Sequence, residues 1–362
     1  MNTLHRLSRV RAVMKGKKID AFLLTSPYNR RYLSHFSAKD PDITESSGSL
    51  LILPHEAILL TDGRYEVQAR QETAGWRISI YKKGLSSALK EILKGQDIKR
   101  IACEPAYMTL KNQTLIKKAL KGVELVPLDH KIEGMRTIKE EAELECIIKA
   151  ISIAESVFEM AHDRLRPGVT EKEVAWWIVE ALSLISEGPS FPPIVASGPN
   201  AALPHAVPTE RAIQEGEPII IDMGASFDGY CSDMTRTLFL GEPDYRVKKI
   251  YAVVRKAQLA AISSIREGMT CRDADAAARE IIQDEGYGDY FVHSLGHGVG
   301  LAVHEAPFLS SRSRKSLRAG MVTTVEPGIY IPEVGGVRLE QMVLIHKHKA
   351  VLLSQDRWFY DF

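Results

Sequence analysis

Near residue 130 the hydrophobic period of this chain changes from short, regularly spaced apolar runs to long helical stretches, and that change limits the folds open to it. Up to that point the runs DAFLLT, SLLIL, AILLT, RISIY, KRIAC and VELVP alternate with amphipathic segments such as EVQARQET and LKNQTLIKKALKG. Short apolar runs separated by helical patterns read as a βα succession, so residues 1–130 are expected to form an α/β domain. Residues 37–48, SAKDPDITESSG, carry no pattern of their own between helix-like RRYLSHF and strand-like SLLIL. They are expected to form a mobile loop.

After LDHKIEGMRT the period becomes helical, and residues 131–362 are expected to form a second domain. Its first helix is IKEEAELECIIKAISIAESVFEMAHDRL, with Thr137 as candidate N-cap and acidic residues in the first turns. RPGVTEKEVAWWIVEALSLI follows with Thr170 as cap, then RVKKIYAVVRKAQLAAISSI and CRDADAAAREIIQDEGY. The strand-like runs PIIIDMG, MTRTLFL, GMVTTVE and GVRLEQMVLI lie between and after these helices, which gives an α+β domain. No internal repeat is apparent by eye.

Charge narrows the partners. The 47 basic and 46 acidic residues nearly cancel, and neither sign forms a long block, which removes the electrostatic argument for nucleic acid or an anionic membrane. The four cysteines, Cys103, Cys146, Cys231 and Cys271, are widely spaced and form no CxxC pair, so neither a disulfide framework nor a thiolate zinc site is expected. The basic N-terminal segment lacks an apolar stretch of signal-peptide length, and no segment reaches the length of a membrane span. A soluble cytoplasmic protein with small, roughly neutral partners fits these features.

Charged residues placed in apolar strands carry the functional signal. Asp222 ends IIID, Asp233 enters the apolar run of DMTRTLFL, Glu326 ends VTTVE before a Pro-Gly turn, and Glu340 lies inside the expected strand GVRLEQMVLI. A buried carboxylate is costly unless paired or bound to a cation. Each has an ordinary reading when taken alone: Asp222 as a turn carboxylate, Asp233 paired with Arg236, Glu340 paired with Arg338. The segment FVHSLGHGVGLAVHEAP adds His293, His297 and His304 among glycines that argue against a helix and permit close backbone approach. Asp222, Asp233, His297, Glu326 and Glu340 together make four carboxylates and one imidazole, ligands suited to manganese, cobalt or zinc. Four negative charges balance two divalent cations and leave room for a bridging water or hydroxide, as a two-metal hydrolase requires.

The segments IDMGASFDGYCSDMTRT, GHGVG, TVEPGIY and GVRLE, in that order, resemble the pita-bread metallopeptidases, the group that holds methionine aminopeptidase, prolidase and aminopeptidase P. NRRYLSHFSA, LLTDGRYEVQA and MRTIKEEAELECIIKA resemble the creatinase-type N-terminal domain and its junction, so nearly the whole chain is covered and the prolidase and aminopeptidase P branch is preferred. The resemblance implies a creatinase-like α/β domain with a mixed sheet at residues 1–130 and an α+β pita-bread catalytic domain at 131–362. Asp222, Asp233, His297, Glu326 and Glu340 become the ligands of two divalent metal ions, with manganese favoured over cobalt or zinc. His205 and His304 would contact the scissile peptide or help protonate the leaving nitrogen, His293 would line a proline pocket, and Glu326 would shuttle a proton. Arg338 resembles a substrate-binding or ligand-orienting arginine.

The resemblance implies hydrolysis of the bond before proline in short peptides, by a homodimer. Two other readings keep the fold: a metal enzyme with a non-peptide substrate, and a non-catalytic peptide-binding protein. Ala206 after His205 and Gln341 after Glu340 depart from the common pattern, in which glycine and aspartate are frequent.

Overall fold

The structure is a computed structural model that describes residues 3–362. Contacts divide the chain into two compact units between Arg136 and Thr137. Every strand expected before residue 130 forms, in one six-stranded sheet ordered Arg77–Ile80, Ala57–Thr61, Ser49–Ile52, Ala21–Leu24, Arg100–Cys103, Glu124–Pro127. Ala21–Leu24 runs antiparallel to Ser49–Ile52 and parallel to Arg100–Cys103, so the sheet is mixed. Leu23, Leu51, Ile58, Leu60 and Ile101 form its core with Leu89 and Ile116 from two helices. The short helix Glu133–Arg136 belongs to this unit because Asn29 grips it: Asn29 Nδ2 donates to Glu133 Oε1 at 2.7 Å, and Arg136 Nη1 donates to Asn29 Oδ1 at 2.9 Å.

Residues 37–48 form no helix, and their only strand-like feature is an Asp42–Glu45 bridge. Both ends of the segment are nevertheless anchored. The buried Arg30 guanidinium donates to the Ala38 carbonyl, to Gly48 O at 2.7 Å and to Asp40 at 3.0 Å.

The second unit is built twice from one plan, a repeat the eye misses in the sequence. Helix Glu141–Arg164 leads through RPGVT at 166–170 into helix Glu171–Ile185, and helix Tyr245–Ser264 leads through REGMT at 266–270 into helix Cys271–Asp284. Gly168 and Gly268 take the same left-handed φ, 91° and 85°, and their amides donate to Ile213 O and Leu317 O, both at 2.9 Å. Thr170 and Thr270 each cap the following helix, accepting from Glu173 N and Asp273 N. Arginine, glycine and threonine recur in the two connectors; the glycine supplies the left-handed turn and the threonine the cap. Thr137 does not cap the first helix; Glu140 does, in a reciprocal box with Glu143.

Each helix pair covers an antiparallel sheet. Met234–Leu238, Ile219–Met223 and Ile194–Ser197 pair in that order over a core that includes Phe158, Val174, Ile178 and Ile221. Glu305–Leu309, Gly296–Gly298, Val322–Val325, Gln341–Ile345 and Ala350–Leu352 form the second sheet, over Tyr251, Val254, Ala278 and Val343. GVRLEQMVLI is not one strand. Gly335–Arg338 pairs with Gly328–Ile331, whereas Gln341–Ile345 pairs with Val322–Val325. Glu340 therefore sits where the chain passes from one sheet to the other, outside either ladder. Among the described residues no helix is long and apolar enough to cross a membrane.

Candidate metal centre

Strand register explains why Asp222 and Asp233 converge. The strands they belong to pair with Asp222 opposite Thr235 and Met223 opposite Met234, and the intervening FDG turn carries Asp228 and Gly229 at positive φ. Asp233 directly precedes the second strand, on the same side of the ladder end. Glu340 approaches from the sheet crossing, where its amide donates to Thr235 O at 3.1 Å and Thr235 Oγ1 donates to Glu340 Oε2 at 2.9 Å. Oxygens of Asp222, Asp233 and Glu340 all lie within 4.8 Å of one another.

His297 and Glu326 face this cluster from the second sheet. His297 lies on the short strand Gly296–Gly298, whose register shifts at His297/Gly298. Gly296 is needed there because a Cβ would lie 2.1 Å from Thr324 O. The imidazole Nδ1 donates to Gly298 O at 3.2 Å, which leaves Nε2 directed at Glu326 Oε1, 3.1 Å away, and Asp233 Oδ2, 3.6 Å away. Thr324 Oγ1 accepts from His297 N and donates to Glu326 Oε1, tying the two together.

The ordinary pairings considered for these acids do not form. Arg236 turns away from Asp233 and donates to the carbonyls of Thr235, Glu340, Gln355 and Arg357. Arg338 bypasses Glu340 and pairs with Asp222 Oδ2 at 2.6 Å. One oxygen of each remaining pole, Asp222 Oδ1 and Glu340 Oε1, is buried without a hydrogen-bond partner. Burial and mutual repulsion then dominate the electrostatics. Burial, reinforced by Glu326 and Asp222, pushes Glu340 up to about 8; burial and the neighbouring carboxylates raise Asp233 well above the usual range, and burial also raises Asp222. Burial opposes ionisation of Glu326 and His297 as well, but their mutual hydrogen bond and attraction win, holding Glu326 at about 2 and His297 at about 9. A site in which Asp222, Asp233 and Glu340 resist ionisation and two buried oxygens lack donors is a site short of positive charge.

All nine residues singled out in the sequence, including His205, His293, His304 and Arg338, line one cavity of about 510 Å3. The His304 ring stands edge-on to His297, 4.3 Å between centroids. Burial and the His297 charge keep His304 below its ordinary range. His293 donates through Nδ1 to Ser294 O at 2.8 Å, so its Nε2 accepts from Tyr330 OH at 2.9 Å, and Tyr330 OH accepts in turn from Arg338 Nη1 at 2.9 Å. Burial keeps His293 below its ordinary range, in keeping with this neutral tautomer. Sequence reasoning missed Tyr330 and Thr235, although both stand in segments already quoted; their hydroxyls on buried strands were the available signal. It also missed the apolar wall of Phe191, Pro192, Val207, Val303 and Phe308.

A duplicated helix-and-sheet domain with carboxylates and an imidazole gathered in one cavity defines the class of metal-dependent hydrolases. The particular family follows from comparison: the profile of metallopeptidase family M24 matches residues 145–347, and that of the Creatinase/Prolidase N-terminal domain matches residues 6–138. The chain belongs to metallopeptidase family M24, with a creatinase-type N-terminal domain ahead of the pita-bread domain. It is 36% identical over 351 residues to an Xaa-Pro dipeptidase of Pyrococcus furiosus, covering 97% of each chain. Among solved structures it resembles an Xaa-Pro dipeptidase from Bacillus anthracis, with a TM-score of 0.91, 37% identity and 98% of each chain covered. An X-Pro aminopeptidase from Thermotoga maritima gives 0.89 and 35%, covering 96% of this chain and 97% of that one.

Proposed function

We propose that this protein is a metal-dependent exopeptidase that hydrolyses the bond before proline in short peptides. The observation that carries the reading is the pair of buried, unpartnered oxygens, Asp222 Oδ1 and Glu340 Oε1, within a cavity that also holds three histidines and an apolar wall. The donor set fits two divalent cations: Asp222, Asp233, His297, Glu326 and Glu340 would hold them, and manganese suits a set dominated by carboxylates better than zinc or cobalt. When bound, such ions supply Lewis acidity toward the scissile carbonyl and make water acidic enough to serve as nucleophile at neutral pH.

The chain's own groups divide the remaining work. Glu326, which faces the same cavity, accepts the proton of the attacking water. The leaving proline nitrogen belongs to a tertiary amide and must gain a proton to depart, and His205 and His304 are the imidazoles that contact the peptide and assist there. His293 is locked by Tyr330 and Ser294 as a neutral lining group, and Arg338 orients Asp222. Phe191, Pro192, Val207 and Phe308 offer the apolar surface that a prolyl ring and the preceding side chain require.

The same reading makes the second unit, Thr137–Phe362, the catalytic domain of a cytoplasmic homodimer, its start a few residues beyond the boundary at 130/131 expected from the sequence. The four cysteines, all free thiols, agree with a reducing compartment, and sedimentation velocity checks the dimer. The deciding experiment strips the protein of metal and restores manganese, cobalt or zinc before offering an Xaa-Pro dipeptide and an Xaa-Pro-Xaa tripeptide. Restored cleavage of the dipeptide alone identifies a dipeptidase, and cleavage of the tripeptide before proline identifies an aminopeptidase. Silence with every metal, despite two ions bound, refutes the reading.

A further inference from the structure

His304 lies on the turn that joins strands Gly296–Gly298 and Glu305–Leu309, and such turns are mobile unless something holds them. Here the residue after His304 is a buried carboxylate. Glu305 Oε1 accepts from Lys139 Nζ at 2.6 Å, and the side chains are 7% and 1% exposed. The partners are 166 residues apart, so this is a tertiary clamp rather than a local turn contact. The Glu305 carboxylate packs under the turn itself: a Cβ on Gly300 would meet its Oε1 at 2.4 Å and its Cδ at 2.8 Å.

Lys139 is itself fixed at a second point of the site. Its amide donates to Gly320 O at 2.9 Å, and Ile138 bridges to Met321, just ahead of the strand Val322–Val325 that delivers Glu326. The lysine therefore connects the base of the strand leading to Glu326 with the turn bearing His304. Gly300 N donates to Ala302 O, and Cys231 N donates to Gly300 O at 2.8 Å, which fixes the near side of the turn. Glu305, next in sequence to His304, fixes the far end of the turn.

We propose that the Lys139–Glu305 ion pair is a positioning device that holds His304 against the metal centre. This rests on the reading of His304 as a substrate-contacting group. Neutralising Lys139 removes the tie between Glu305 and the base of the strand leading to Glu326, and the turn that carries the adjacent His304 loses that restraint. Neither residue of the pair lines the cavity, so both would act through the turn.

The test uses the full-length, metal-loaded protein and a peptide with proline in second position, with metal content and Tm measured beside kcat and KM. His304→Asn sets the reference loss. Lys139→Met is expected to lower kcat/KM by roughly 10- to 100-fold at full metal content. Lys139→Arg, which keeps the charge, is expected to restore most of it. Because Lys139→Met removes one charge of a buried ion pair and can unfold the protein, the doubly neutral Lys139→Met/Glu305→Leu variant is measured too. It removes both charges of the pair together and is expected to fold, yet to show the same kinetic loss because the clamp is gone. Adding His304→Asn to Lys139→Met is expected to cost little more than either change alone. Wild-type kcat/KM in the doubly neutral variant, or fully additive losses with His304→Asn, overturns the positioning role. Wild-type kinetics in His304→Asn alone overturns instead the reading of His304 on which that role rests.

Discussion

Thr235 shows how much of the site depends on a residue that is not a ligand. Its hydroxyl donates to Glu340 Oε2 and accepts from Arg338 Nε, and its carbonyl receives the Glu340 amide. Thr235→Val keeps the shape of the side chain and removes both hydroxyl bonds, so Glu340 and Arg338 lose a shared reference point. Metal affinity is expected to fall about 10-fold, in the range found for other ligand-orienting residues. Calorimetric titration of manganese into metal-stripped protein measures this; unchanged affinity would mean that the sheet crossing alone positions Glu340. The acids themselves were legible in the sequence because charge inside an apolar run is conspicuous. Thr235 and Tyr330 were not, since a threonine or tyrosine in a strand is ordinary and only the tertiary structure shows which hydroxyl meets a carboxylate.

Elements were legible in proportion to how local their causes are. The six short strands of the first unit and the four long helices of the second follow from apolar runs and helical period, and Thr170 announced its own cap. The break at Glu340 was invisible because Leu339 and Met342 continue the apolar pattern on both sides while the chain changes pairing partner, a long-range event. Close backbone approach is equally silent in a sequence. At Gly298 a Cβ would lie 2.3 Å from Ala306 O and 2.8 Å from Glu305 O, backbone atoms that cannot swing aside. Gly298→Ala is expected to destabilise the protein by about 3 kcal/mol or more through overpacking, and to displace His297. Gly63→Ala, with no heavy atom within 4 Å of its added Cβ, is the matched control and should fall within about 0.5 kcal/mol of wild type. Urea unfolding monitored by circular dichroism separates the two, and equal midpoints would show that the hairpin accommodates the methyl group. The duplicated connectors give a second test at this scale. Thr170→Ala and Thr270→Ala remove equivalent caps and should each cost about 1 kcal/mol.

For the molecule as a whole, the charge deficit of the candidate metal centre makes stability depend on pH and, on the proposed reading, on metal as well. Without metal, Glu340 holds its proton up to about 8, and His297 holds its proton up to about 9, both above their ordinary values. A group whose folded-state pKa is raised contributes stability that is present below its unfolded pKa and lost as pH rises through the folded one. Between pH 7 and 9 both groups therefore act in one direction, and metal-free protein should lose stability across that window. His293 and His304, lowered by burial, add only a small slope of the opposite sign at the pH 7 edge, where the unfolded histidines are still partly protonated, and none above it. Divalent metal reverses the sign, because binding requires the deprotonated ligands and tightens as they ionise. Metal at 100 times its dissociation constant adds about 2.7 kcal/mol, and a domain of this size gains roughly 2–4 °C in Tm per kcal/mol. Scanning calorimetry at pH 7, 8 and 9, with chelator or with manganese, is expected to show Tm falling with pH in the first series and holding or rising in the second. Parallel slopes in the two series would mean that the ion does not occupy the Glu340 and His297 cluster, and the ligand set would have to be sought elsewhere.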